Sequence, residues 1–460
     1  MAGAQSGANY EPSRFTVRVT DEEENLILYN SYSGALGVLP KVHADAVTQM
    51  LRKAQTTQFS DDPVVKSLIH GGFLVPQGTD EFQLARNLRD MTKSGVTRSQ
   101  LIILPTETCN FRCVYCYESF KRGRMTTPIR DSLKKAVERI VPDIEVLSIH
   151  WFGGEPTTAL DVIEELSYSF ISSTERANVN YSAGITTNGL NLDEETVDIL
   201  LGCKIHSFQI TLDGPQEIHD ARRKLLGGGG TFERIVSNLH AMASRSPKDD
   251  FKVAIRVNFD AESRGSVPQL LTILSESLVG DPRFAIYFRP VGAWGGPNDN
   301  DLPIIESAAG EIAMFEMHEQ ALTQNSVPVA LMHRFLQPNG SVCYASQAFS
   351  HVVGADGRLM KCTVAIDDPV NIVGRIEADG TFKIDFQKER LWLDADETTE
   401  PACQSCHFRP ACQGAHCPLV RIRENRTPCP PEKLHIKHAL RLIAKAPLSS
   451  ISASAAFDAD

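Results

Sequence analysis

Between residues 98 and 300 the apolar positions follow two alternating rhythms. Six short runs have the length and the β-branched or aromatic content of buried strands: Gln100 to Leu104, Val146 to Phe152, Tyr181 to Thr186, Ser207 to Thr211, Lys252 to Asn258 and Phe284 to Phe288. Five longer stretches place apolar residues three and four apart and predict helices: Ile129 to Ile140, Leu160 to Glu175, Glu194 to Leu201, Phe232 to Ala243 and Val267 to Leu278. Regular alternation of this kind predicts an α/β fold with a parallel sheet covered by helices. Six βα units are too few for an eight-fold barrel and predict a partial (β/α)6 barrel, with its chemistry at the C-terminal strand ends.

The flanks keep neither rhythm. Before residue 98, strand-like Phe15 to Thr20 and Asn25 to Tyr29 precede helical His43 to Ala54 and Val64 to Ile69, then strand-like Phe73 to Pro76. That order predicts a winged-helix-like α+β unit over 1–97, either a binding module or a cap on the core, with a helix from Asp80 to Thr92 leading out of it. After Asp301 come a helix at Ile312 to Thr323 and strand-like pieces around two turns, Ala355-Asp356-Gly357 and Ala378-Asp379-Gly380. From Cys403 the chain is poor in periodicity and rich in cysteine, the mark of a region held by metal. Leu434 to Ala444 predicts a closing helix, and the Ser/Ala-rich 447–460 a disordered tail. The expected organisation is therefore 1–97, a barrel over 98–325, a cysteine-rich domain over 326–446, and the tail.

Composition removes several function classes. A net charge of -11, without a basic run able to follow a phosphate backbone, argues against nucleic acid. No apolar stretch reaches the 18 or more residues of a membrane span, and the first residues lack the basic and apolar regions of a secretion signal, so a cytoplasmic location is expected. A reducing cytoplasm disfavours reading the 11 cysteines as a disulfide framework and makes the clustered ones ligands by default.

They are unevenly spread. Cys109, Cys113 and Cys116 stand in TETCNFRCVYCYE directly after the first strand, Cys203 is alone after an apolar run and has the setting of a buried inert thiol, and seven lie between Cys343 and Cys429. Three thiolates on one short loop suit three corners of a cubane iron-sulfur cluster, the fourth iron being left for chemistry. The competing reading is structural zinc, which takes four protein ligands, and no His lies between Thr108 and Arg130. The second strand ends in Gly153-Gly154-Glu155-Pro156, two glycines that let backbone approach a ligand and a glutamate able to brace the loop.

CNFRCVYC followed by GGEP resembles the radical S-adenosylmethionine (SAM) enzymes. The resemblance implies that Cys109, Cys113 and Cys116 bind a four-iron four-sulfur cluster whose free iron chelates SAM. It implies that Gly153 to Pro156 meet the methionyl amino group, and that Asn188, in Thr186-Thr187-Asn188-Gly189, lies near the ribose. Gln209 to Gly214 is similar to the family's SLDG strand end with Thr211 in place of Ser, and His219, Asp220 and Arg223 match an HDxxR pattern that makes Arg223 the partner of the SAM carboxylate. Tyr115 falls where the family places an aromatic near the adenine; Val114 beside it reads as packing.

The last third resembles the SPASM extension with two auxiliary four-iron four-sulfur clusters, giving three in all. Carried over by position, Cys343, Cys362 and Cys417 hold auxiliary cluster I, and Cys403, Cys406, Cys412 and Cys429 hold auxiliary cluster II. Four residues, QGAH, stand where the family has three, which leaves His416 as an alternative to Cys417. The Gly-rich stretch Arg289 to Asp299, with Trp294, borders the cavity, lids it or anchors packing. The resemblance implies an enzyme that oxidatively modifies a ribosomally made precursor peptide by thioether or carbon-carbon crosslinking, served by a flavodoxin- or ferredoxin-like electron donor. The alternatives are a sulfatase-maturase-type oxidation of a Cys or Ser and, in another class, a zinc-stabilised binding protein without catalysis.

Overall fold

The computed structural model describes residues 8–52, 56–94, 97–278, 280–323, 329–394 and 400–446; the tail at 447–460 lies outside the described residues. The chain forms two compact units that cut across chain order. The first joins 8–94 to 331–346 and to the described residues from 394 to 446, and the second joins 97–330 to 347–393.

The first unit contains β1 (Asn9–Pro12), β2 (Thr16–Thr20), β3 (Leu26–Asn30), β4 (Leu36–Leu39), β5 (Thr57–Gln58) and β6 (Leu74–Pro76). They pair as two three-stranded sheets, in the orders β5-β1-β6 and β2-β3-β4. Helices Lys41–Met50 and Pro63–His70 close a core of Tyr10, Leu26, Leu28, Val47, Leu51, Leu68, Phe73 and Leu74. Asp62 starts the second of these helices by accepting from Val64 N at 2.7 Å, with Pro63 at a position that needs no amide donor. The closing helix Ile436–Lys445 buries Ala439, Leu440, Leu442 and Ile443 and packs on β2 and β3.

The second unit is built on β7 (Arg98–Ile103), β8 (Phe111–Cys113), β9 (Val146–Trp151), β10 (Asn180–Thr187), β11 (Ile205–Thr211), β12 (Arg223–Leu225), β13 (Lys252–Phe259), β14 (Phe284–Pro290), β15 (Ser350–Val353), β16 (Arg358–Met360), β17 (Ile372–Ile376) and β18 (Phe382–Ile384). Its main sheet has the order β14-β13-β11-β10-β9-β7-β15-β16-β17-β18. The six strands from β7 to β14 are parallel and lie in chain order, as the strand and helix rhythms predict for a partial barrel. Leu147, Ile149, Trp151, Ile185, Phe208, Ile210, Val253, Ile255 and Phe288 are buried along them.

Residues 347–393 extend this sheet. β15 runs parallel to β7, and β16, β17 and β18 continue antiparallel from it. Gly357 and Gly380 supply the positive φ of the two expected turns, at +81 and +87. The second turn sits so close to helix Thr127–Ile140 that a Cβ at Gly380 would lie 2.6 Å from the Ala136 nitrogen.

Candidate active site

Every motif singled out in the barrel falls at the C-terminal end of a strand of the second unit, where loops converge. After β7, Thr106 and Thr108 turn the chain into β8, which forms a two-stranded antiparallel ribbon with β12. The register of that ribbon sets Cys113 opposite Arg223, and the ribbon is extended by Val114 N to Arg222 O (2.9 Å) and Leu226 N to Asn110 O (2.7 Å). Cys116 N returns to Cys113 O at 3.1 Å, and Phe111 N donates to Cys109 Sγ at 3.3 Å. The three thiols thus sit on one tight turn braced from 110 residues downstream in sequence.

The GGEP loop lies directly beneath this turn. Glu155 N donates to Thr108 O at 2.9 Å, and a Cβ on Gly154 would lie 2.2 Å from that same oxygen and 3.0 Å from Cys109 N. Only glycine permits the approach. Glu155 is fully buried and accepts from Thr157 N (3.1 Å), Thr157 Oγ1 (2.6 Å), Thr187 Oγ1 (2.7 Å) and Asn188 N (2.7 Å). It therefore ties the end of β9 to the end of β10, while Pro156 opens the short turn that follows. Burial pushes its pKa up, and these donors pull it down. Asn188 closes the ring by donating from Nδ2 to Asn110 Oδ1 at 2.7 Å, beside Cys109.

On the far side Tyr115 is the hub of a polar network. Its hydroxyl donates to Asp213 Oδ2 (2.5 Å) and accepts from Arg223 (2.8 Å) and Asn258 Nδ2 (3.2 Å). Arg222 pairs with Asp260 and sits 3.5 Å from Asp213. Burial alone would lower the Arg223 pKa, but Tyr115, Cys113 and Asp213 carry it above its ordinary value. Among the described residues its Nε, like Nη2 of Arg222, is buried and lacks a hydrogen-bond partner. Unsatisfied guanidinium donors against a cysteine turn are what an anionic ligand would satisfy. Thr211, on the last residue of β11, is buried at the same end of the sheet. Glu118 lies among Glu107, Asp367 and Glu155, and burial first, then these carboxylates, push it up to about 8.

The Gly-rich stretch after β14 lies on the cysteine turn. Asn298 Nδ2 donates to Val114 O at 2.9 Å, and a Cβ on Gly296 would lie 2.8 Å from Cys116 O. Trp294 remains 40% exposed beside them, so the loop covers the turn through its backbone and Asn298, leaving the indole free for contact. Asp213, Asn258, Arg222 and Asn298 escape sequence reasoning. Only Asp213, inside the LDG strand end, carried a usable signal there.

The distal cysteines divide between the units. Cys362 belongs to the second, where Asn371 Oδ1 accepts from Lys361 N (3.0 Å) and Cys362 N (2.8 Å). Cys343, Cys403, Cys406, Cys412, Cys417 and Cys429 belong to the first. Cys343 N donates to Ala415 O at 2.9 Å, and Cys417 stands immediately before helix Pro418–Glu424 without a side-chain capping bond. Cys412 is buried, feels Cys403, Cys429 and Cys406, and is raised to about 12, mainly by burial. Phe408 N donates to Cys406 Sγ at 3.4 Å and Lys433 Nζ to Cys429 Sγ at 3.3 Å. Four thiols in mutual electrostatic range, with N–H groups aimed at their sulfurs, suit a thiolate-ligated cluster. Among the described residues no three His, Cys, Asp or Glu side chains are placed to hold a single metal ion. Among them, too, no helix is long and apolar enough to cross a membrane.

Residues 103–270 match the Radical SAM superfamily. Among curated proteins the chain is 22% identical over 255 residues to Fe-coproporphyrin III synthase of Methanosarcina barkeri, covering 55% of this chain and 59% of that protein. It is 30% identical over 153 residues to a cysteine-type anaerobic sulfatase-maturating enzyme of Clostridium novyi, covering 31% and 39%. The matched stretches thus span between two fifths and three fifths of these relatives. Among solved structures, native anSMEcpe with bound AdoMet and Cp18Cys peptide superposes with a TM-score of 0.57 at 19% identity, covering 78% of this chain and 99% of that one. That likeness bears on the fold alone, an α/β fold with a mostly parallel sheet.

Proposed function

Because the chain belongs to the Radical SAM superfamily and is therefore an enzyme, we propose that it is a SPASM-type maturase that oxidatively modifies a ribosomally made peptide, most simply by crosslinking it within itself. The observation that carries the SAM site is the pairing of Cys113 with Arg223 above the GGEP loop. Cys109, Cys113 and Cys116 would hold the cluster. When bound, that cluster and SAM supply one-electron cleavage of the sulfonium and a 5′-deoxyadenosyl radical that abstracts hydrogen. Arg223 would take the SAM carboxylate on its unsatisfied Nε, exchanging its present bond to Tyr115. Gly153 and Gly154 would present backbone to the methionyl amine, with Glu155 holding that backbone and Asn188 in place. Tyr115, released from Arg223, would lie against the adenine, and Thr211 would line the same strand ends.

A crosslink removes two hydrogens from the peptide and needs an electron acceptor. Auxiliary cluster I, on Cys343, Cys362 and Cys417, or His416 in place of Cys417, would serve this purpose, and Cys403, Cys406, Cys412 and Cys429 would hold auxiliary cluster II. A flavodoxin- or ferredoxin-like protein would return electrons to the radical SAM cluster. Support for a peptide comes from the unit over residues 8–94, which lies outside the matched domain and offers the edge strand β4, with Val38 46% exposed, for strand addition in the manner of a winged-helix leader-binding module. The structural relative solved with a peptide is a second support.

The identity to a sulfatase-maturating enzyme favours one other reading, oxidation of a single Cys or Ser in a folded protein. Anaerobic incubation of the iron-loaded enzyme with SAM, reductant and the short peptides encoded beside its gene tests both. Mass spectrometry should show a peptide lighter by two hydrogens, with a fragment ladder interrupted between the linked residues. A complete ladder with the lost mass on one Cys or Ser supports the second reading, and no mass change on any peptide counts against the first.

A further inference from the structure

We propose that Lys433 sets the reduction potential of the cluster held by Cys403, Cys406, Cys412 and Cys429, raising it above the value those four thiolates would give alone. The inference rests on the ligand set just proposed and adds a residue that the cysteine spacing does not contain.

The local chain explains why the lysine is there. Cys429 is followed by Pro430 and Pro431, and helix Pro431–Leu434 begins at once, with Lys433 N returning to Pro430 O at 3.0 Å. Two fixed φ angles and one helical turn bring position 433 back over position 429. The ammonium donates to Cys429 Sγ at 3.3 Å and is half-buried, with Cys406 and Cys403 also in range.

One-electron reduction adds a negative charge to such a cluster and leaves its ligands unchanged. A fixed cation at hydrogen-bond distance from a ligand sulfur stabilises the reduced form more than the oxidised form, because the interaction grows with the charge it faces and is little screened when half-buried. The N–H···S bond acts in the same direction. Together they make this cluster easier to reduce than the same four thiolates would be without the lysine.

The test is an anaerobic redox titration of the full-length, iron-loaded chain, followed by electron paramagnetic resonance and using dithionite with mediator dyes. K433M should move one midpoint to more negative potential at unchanged iron content, leave the other signals where they are, and be largely restored by K433R. Where K433M loads poorly, K433Q, which keeps a donor and drops the charge, takes its place. An unmoved midpoint in either loaded variant overturns the proposal. A C403A/C406A chain with as much iron as the wild type overturns it differently, by showing that no cluster resides at these cysteines.

Discussion

Glu155 and His219 show how single buried side chains hold the strand ends in register. Glu155 receives two backbone amides, which can only donate, and two hydroxyls, so its carboxylate is the acceptor all four require. E155Q keeps the shape and turns one oxygen into a donor facing other donors. It should cost the second unit about 2 kcal/mol, the penalty of an unsatisfied buried group. All three tryptophans of the chain lie in that unit, so the denaturation midpoint followed by their fluorescence reads it directly; an unchanged midpoint would show that the brace is redundant. His219 accepts from Asp213 N at Nδ1 (3.3 Å), which puts its proton on Nε2 toward Thr231 Oγ1 (3.1 Å), and Thr231 in turn donates to Arg223 O (2.9 Å). Burial, followed by Arg223 and Arg222, holds its pKa well below the usual value. The unfolded chain therefore takes up this proton near the ordinary value of about 6.5 while the folded chain does not, so stability is flat above that pH and falls below it. H219Q, which can keep both bonds, should lose less stability than the wild type between about pH 7.5 and 5.5, a window bracketing the ordinary histidine value. Parallel loss in the two proteins would remove His219 from the account.

At the scale of elements, the loop after β14 reaches the cysteine turn from outside its own ribbon, as the GGEP loop does from beneath. N298A removes the bond to Val114 O, worth about 1 kcal/mol, and roughly a fivefold faster loss of iron to a chelator is the expected consequence. Equal rates would leave the loop as mere cover. Nothing in the sequence names Asn298 for this role, because a polar residue in a Gly-rich loop has no periodicity to betray its partner. The helices and parallel strands were legible for the opposite reason. Phe232–Ala243 and Val267–Leu278 have the predicted bounds, and the six barrel strands fall within two residues of theirs, since burial imposes a period on each. The β8–β12 ribbon and the attachment of β15 to β7 were hidden. Both pair segments more than 100 residues apart, and strand pairing at that distance leaves no local mark. The cysteines and the GGEP loop stood out because their spacing is itself the chemistry, whereas Lys433 and Asn258 act only through where the fold delivers them.

At the scale of the whole molecule, the division into units changes what a deletion can test. Removing residues 1–97 looks from the sequence like the clean way to separate a peptide maturase from an enzyme that needs no leader-binding module. In the structure those residues share a core with the cysteine-rich segment. Tyr29 is fully buried, its hydroxyl bonds Leu336 O, and its ring meets that of Phe408, two residues after Cys406, at 6.4 Å. Ser31 bonds His407 O, Arg441 Nε bonds Thr20 O at 2.9 Å, and the closing helix lies on β2 and β3. Deletion would strip Phe408 and that helix of their apolar neighbours, a loss of several buried side chains at about 2 kcal/mol each or more. The truncated chain should therefore hold roughly four fewer irons than the full-length enzyme, one auxiliary cubane, before any question of peptide binding arises. Iron and sulfide analysis of the two proteins, purified and reconstituted side by side without oxygen, measures this. Equal iron would mean that the cysteine-rich segment folds without the N-terminal residues, and only then would lost peptide turnover by the truncated chain speak for a leader-binding role.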